Sequence, residues 1–122
     1  MTTALLLVDH GSRRASANEN LGHVAPLARA QLGESAIVEV AHMELAEPTI
    51  AQAFDACVAA GATEVVVFPW FLAAGRHARE DIPALVTEAA EKHPGVTHRV
   101  AEPFGPHPLL VQAALTLTGL AD

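Results

Sequence analysis

The sequence predicts an α/β fold: one lobe built on a four-stranded parallel sheet, with helices on both faces and strand order 2-1-3-4. Three observations predict it. Apolar runs near 4–8, 36–42, 63–70 and 96–101 alternate with stretches whose apolar residues recur at helical spacing. The first run, ALLLV, is continuously apolar instead of alternating, as a strand covered on both faces must be. The connections are short and without repeats or linkers, so right-handed crossovers leave few topologies. A chain of 122 residues suits one domain, 1–122, with a core of useful size.

The first strand stops at Asp9, His10, Gly11 and Ser12, where Gly11 permits a sharp turn and Ser12 is expected to cap the next helix. Leu21, Val24, Ala25, Ala28 and Leu32 then make one stripe of a helix over about 16–32. Pro26 should kink it or break its first turn, because the ring presses on the carbonyl of Gly22. AIVEVAH, 36–42, is the second strand, 43–47 a loop, and Pro48 is expected to open the next helix, which Gly61 stops. TEVVVFPW, 63–70, is the third strand, followed by the loop FLAAGRHARED and a helix from about Asp81 to Lys92. VTHRVA, 96–101, reads as an edge strand, and a last helix runs from about Pro108 to Leu117. The order is flavodoxin-like and places a topological switch point between the first and third strands, where ligands of open α/β sheets bind.

Seven Lys and Arg against 14 Asp and Glu give a net charge of −7, which excludes a general nucleic-acid or acidic-membrane partner. The cations are nevertheless concentrated. Arg13 and Arg14 follow His10, and Arg76 and Arg79 flank His77, so an anionic ligand is expected beside the two histidines, helped by free amides at the helix start. The single cysteine, Cys57, excludes an internal disulfide and reads as a buried helix residue in a reducing compartment. The apolar N-terminal run is far shorter than a membrane span and has no basic start or cleavage site, so a cytoplasmic protein is expected.

His10 follows the first strand, Glu44 the second, His77 the third and His107 the fourth, so all four reach the ligand-binding edge of the sheet. Two imidazoles and a carboxylate suit an open site for a divalent transition metal such as cobalt, nickel, iron or zinc. No local motif ties them together, and the signal lies in their topological convergence. For Glu44 an exposed loop carboxylate is an equal alternative. His42 ends a buried strand and reads as a satisfied core histidine, His107 as part of a helix start, and His23, His93 and His98 as surface residues. Trp70 and Phe71 read as core with a secondary prospect of flooring a flat ligand. Ser12 beside His10 lacks the orienting acid of a nucleophile and base pair.

The segments VDHGSRR with Asn18, AHMELAEPTI, FPWFLAAGRHAREDIP and FGPHPLL, in this order, resemble the small sirohydrochlorin chelatases, class II chelatases of siroheme and cobalamin synthesis. The similarity covers nearly the whole chain. It implies insertion of cobalt or ferrous iron into sirohydrochlorin, a flat tetrapyrrole bearing many carboxylates, with no organic cofactor. It also implies that His10 and His77 bind the metal and that Glu44 is a further ligand or proton acceptor. Ser12, Arg13, Arg14, Arg76 and Arg79 are then expected to hold the substrate's acid groups. Small members of the family look like homodimers and longer ones carry two such lobes, so a homodimer is expected. The chain departs from many relatives in carrying Asp9 where they have glycine, a carboxylate able to orient His10 or alter metal preference. Two other classes compete: a non-enzymatic carrier of divalent metal using the same histidines, and a phosphate-handling hydrolase built on GSRR, which lacks a Walker or GxGxxG pattern.

Overall fold

The computed structural model describes residues 2–73 and 75–121, and the backbone alone of His77. Strands β1 (Thr3–Asp9), β2 (Ala36–His42), β3 (Glu64–Pro69) and β4 (Thr97–Val100) form one parallel sheet in the order β2-β1-β3-β4, as predicted. Between and after them run α1 (Ala15–Asn18), α2 (Asn20–Leu32), α3 (Ile50–Ala59), α4 (Arg76–Ala90) and α5 (Pro108–Thr118), with a 3₁₀ turn over Gly33–Ser35.

Side chains alternate across the sheet, so each strand feeds two cores. Leu6, Val8, Val65 and Val67 point to the α3 and α4 side and pack on Phe54, Cys57, Ile82 and Val86, all fully buried. Leu7 and Val38 point the other way, onto Leu21 and Ala25 of α2. This second core is smaller, because α2 alone covers that face. Burial pushes the Cys57 thiol up from 9.0 to about 12, with the nearby charge of Glu39 adding to the rise. The buried, unreactive cysteine expected from the sequence is therefore present. β4 is the exposed edge strand, also as expected.

Several local readings are corrected. The break in the first helix falls at Glu19, between α1 and α2, and α2 runs on through Pro26. Ser12 does not cap that helix. Arg14 occupies the cap position, and the Ser12 hydroxyl instead accepts the Arg14 amide at 3.0 Å, closing a turn. Pro48 lies one residue before the cap of α3, where Thr49 and Gln52 form a reciprocal capping box. Gly61, at φ +105°, ends α3 as predicted, with Ala62 N donating to Cys57 O. α4 begins at Arg76, five residues ahead of the expected start, so Arg76, His77 and Arg79 belong to its first turn and not to a loop. His93 is partly buried, stacked on Phe54 at 5.8 Å with its Nε2 2.7 Å from Asp55 Oδ1, and is no simple surface residue.

Candidate metal-handling site

The site grows from the way β1 and β2 continue side by side past the end of the sheet. Met43 N donates to Asp9 O at 2.9 Å and Glu44 N donates to His10 O at 3.1 Å, so residue 10 is held against residue 44. Gly11 makes this approach possible. Its φ is +91°, and a Cβ there would sit 1.8 Å from the Glu44 carbonyl oxygen and 3.2 Å from His42 Cβ. The sequence suggested a turn glycine; the structure adds that the neighbouring strand leaves no room for a side chain. On the β2 side Leu45, at φ +67°, turns the chain back immediately after Glu44, an uncommon conformation for a branched residue.

The imidazole of His10 meets the carboxylate of Glu44, Nε2 to Oε1, at 2.9 Å, with the two side chains 53% and 45% exposed. Behind them Asp9 and His42 form a second pair, Oδ1 to Nδ1 at 2.5 Å, with His42 only 4% exposed. Asp9 thus bonds to His42, a satisfied core histidine as the sequence suggested, and this pair lies directly behind the His10 and Glu44 backbone.

His10, Gly11 and Ser12 line a cavity of about 300 Å³ with Asn18, Trp70 and Phe71. Asn18 holds the loop in shape. Its Oδ1 accepts from Ser12 N at 2.9 Å and its Nδ2 donates to Ser12 O at 2.7 Å. Trp70 and Phe71 are half-buried and form the wall of this cavity, with Trp70 packed edge-on against Phe68 and Phe104. Both residues therefore stand at the switch point between β1 and β3, where ligands of open α/β sheets bind.

α4 brings the second loaded stretch to the same edge. The side chain of His77 lies outside the described residues; its backbone is the second position of α4. Asp81, one helical turn further on, lines a cavity of about 320 Å³ with Met43 and Glu44. Arg76 pairs with Glu80 at 3.3 Å and is 90% exposed. Arg79 lines a different cavity, of about 280 Å³, with Pro69, Val100 and Glu102. Arg13 and Arg14 are exposed beside the His10 loop. His107 caps α5, its Nδ1 accepting from Leu109 N at 3.1 Å, which is the structural role expected of it. Among the described residues no group of three or more His, Cys, Asp or Glu side chains is arranged to enclose a metal ion. The His10 and Glu44 pair is thus an open arrangement, able to contact a metal without caging it.

Asn18 enters the sequence reading only through the family resemblance and Asp81 only as the expected start of a helix, and neither is given a role in the site there. The capping of Ser12 by a side chain six residues on is visible only once the loop is folded.

An open parallel α/β sheet of order 2-1-3-4, with an exposed imidazole and carboxylate paired across the ends of β1 and β2, defines a protein of the doubly wound α/β class. More particularly, the chain belongs to the CbiX family, whose model matches residues 4–117. It is 47% identical over 107 residues to the chloroplastic sirohydrochlorin ferrochelatase of Arabidopsis thaliana, covering 88% of this chain and 47% of that one. The sirohydrochlorin cobaltochelatase of Methanocaldococcus jannaschii is 40% identical over 90 residues, covering 74% and 62%. The chain spans 47% of the Arabidopsis enzyme and 40% of the sirohydrochlorin ferrochelatase of Bacillus subtilis, about half the length of these relatives. Among solved structures, the sirohydrochlorin chelatase SirB from Bacillus subtilis subspecies spizizenii in complex with cobalt has a TM-score of 0.86 at 33% identity, over 98% of this chain and 50% of that one. A cobalamin biosynthesis CbiX protein from Marinobacter aquaeolei gives 0.80 at 34% identity over 96% and 94%. No helix among the described residues is long and apolar enough to cross a membrane.

Proposed function

We propose that this chain, as a single lobe over residues 1–122, is a sirohydrochlorin chelatase that inserts a divalent metal, cobalt or ferrous iron, into the tetrapyrrole, acting as a homodimer in the cytoplasm without an organic cofactor. The observation that carries the reading is the half-exposed pair of His10 Nε2 and Glu44 Oε1, 2.9 Å apart at the ends of the neighbouring strands β1 and β2. The relatives' activities and the cobalt in the SirB complex agree with it.

Insertion exchanges one divalent cation for two pyrrole protons. His10 and Glu44 are suited to hold the incoming metal through two positions and leave the others open, so that the pyrrole nitrogens displace them stepwise. A carboxylate freed of the metal is then placed to accept a departing proton. His77 is assigned as the second imidazole ligand, on the grounds that position 77 precedes Asp81 by one turn of α4 and Asp81 shares a cavity with Glu44. Trp70 and Phe71 offer the macrocycle an apolar wall. Ser12, Arg13, Arg14, Arg76 and Arg79 are assigned to the peripheral carboxylates, with Arg76 and Arg79 at the electropositive first turn of α4. Nickel is a further metal this donor set accepts.

The test is the absorption change of sirohydrochlorin with cobalt or ferrous iron. Acceleration over the metal and pigment alone supports the assignment. Metal binding in calorimetry with no acceleration would leave a carrier instead of an enzyme.

A further inference from the structure

Among the described residues His42 is the one buried polar side chain, 4% exposed. Burying an imidazole costs stability unless its polar atoms are bonded. Here Asp9 Oδ1 lies 2.5 Å from His42 Nδ1, and the two residues are register partners, the last rung of the β1 and β2 ladder. Immediately past this rung the two strand extensions carry His10 and Glu44.

His42 ties together each segment on which the site stands. Its ring holds the end of β1 through Asp9. Its Cβ lies 3.2 Å from the point where a side chain on Gly11 would begin, so it backs the turn that follows His10. Its N–H donates to Pro48 O at 2.9 Å and closes the loop over 43–47 that bears Glu44. The His10 and Glu44 side chains are about half exposed, so the backbone beneath them does much to fix where they meet. A buried polar pair is weak evidence for stability, since apolar residues of similar volume often hold a fold as well. What a hydrogen bond adds is direction: it sets a distance and an angle between the two strand ends, where apolar contact would let them slide.

We propose that Asp9 and His42 are positioning residues of metal insertion, their buried bond locking the ends of β1 and β2 at the spacing that lets His10 and Glu44 share one divalent cation. The inference rests on the chelatase reading for the role of His10 and Glu44. Asp9 also lines the His10 cavity, so direct contact with the metal is the competing account. The two differ in what His42 does. A positioning pair fails when either partner goes, whereas a carboxylate acting on the metal by itself has no need of the imidazole.

The experiment measures cobalt affinity by calorimetry and insertion into sirohydrochlorin for the parent, Asp9→Ala, His42→Phe, Asp9→Asn and the Asp9→Ala, His42→Phe double variant, with circular dichroism and urea unfolding to establish the folded fraction of each. Asp9→Ala and His42→Phe should each weaken cobalt binding and lower kcat by about 10–100-fold, the loss expected when a ligand's support is removed. KM for sirohydrochlorin should not change. The double variant should be no worse than either single one, because the bond is already gone. Asp9→Asn, which keeps an acceptor without the charge, should bind cobalt nearly as the parent does. Parental cobalt affinity in His42→Phe, additive losses in the double variant, or equal losses in Asp9→Asn and Asp9→Ala would overturn the proposal. So would a fall in turnover that only follows the folded fraction while cobalt affinity holds. A parent that binds cobalt without accelerating insertion would overturn the chelatase reading, and the cobalt affinities would still decide the positioning role; a parent that binds no cobalt would overturn both.

Discussion

Replacing Gly11 by alanine tests how the site is assembled, and the cost follows from two distances. The added Cβ would lie 1.8 Å from the Glu44 carbonyl oxygen, whereas real Cβ atoms keep about 3.0 Å, so the β2 extension must retreat by roughly 1.2 Å. That retreat stretches the Glu44 N to His10 O and Met43 N to Asp9 O hydrogen bonds, worth about 1 kcal/mol each. The left-handed backbone at φ +91° adds about 1–2 kcal/mol for any residue with a Cβ. A total loss of about 3–4 kcal/mol is expected, a large part of the stability of a small domain. Urea unfolding followed by circular dichroism reads the stability, and metal insertion should fall by at least tenfold because His10 and Glu44 no longer meet. Gly11→Ala with stability within about 1 kcal/mol of the parent and unchanged insertion would refute the claim that the close approach of the two strand extensions builds the site.

Further outcomes follow from the same structure. Asp9→Ala leaves the 4% exposed His42 without its carboxylate and should cost about 1–3 kcal/mol in urea unfolding, most of it recovered in Asp9→Asn, which keeps an acceptor. Thr49→Ala removes the hydroxyl half of the capping box and should cost about 1 kcal/mol in the same experiment. Cys57 should resist thiol reagents at pH 8 until the protein unfolds. Because its thiol rises from 9.0 to about 12 on folding, the unfolded chain loses its proton first, so stability should fall as pH rises from about 9 towards 12. A pH titration of the unfolding midpoint, compared with Cys57→Ala, checks this sign.

What was legible in the sequence was what short-range pattern encodes. The unbroken apolar run of β1 suited a strand covered on both faces, and 2-1-3-4 was the preferred order among the few topologies that short right-handed connections leave. The convergence of His10 and Glu44 was readable too, because both follow strands that neighbour one another. The start of α4 was not readable: RHARED carries no apolar stripe before Ile82, and the helix begins where Gly75 takes the cap position. Thr49 was overlooked in favour of Pro48, although the Thr49 and Gln52 spacing carries a capping box. The Asp9 to His42 and His93 to Asp55 pairs join residues 33 and 38 positions apart, beyond any local pattern. α5 was legible as a last helix from about Pro108 to Leu117, but composition tells only that a helix is apolar, not which surface it covers.

The central claim is that an imidazole and a carboxylate from neighbouring strand ends, with the imidazole of α4, hand a divalent metal to a tetrapyrrole. It is tested most directly by measuring the rate of cobalt insertion into sirohydrochlorin for the parent and for His10→Ala, Glu44→Gln, His77→Ala and His98→Ala. The account predicts that the first three lose the acceleration over the spontaneous rate and that His98→Ala, on the exposed edge strand, keeps it. Undiminished insertion by the His10→Ala, His77→Ala double variant would contradict it.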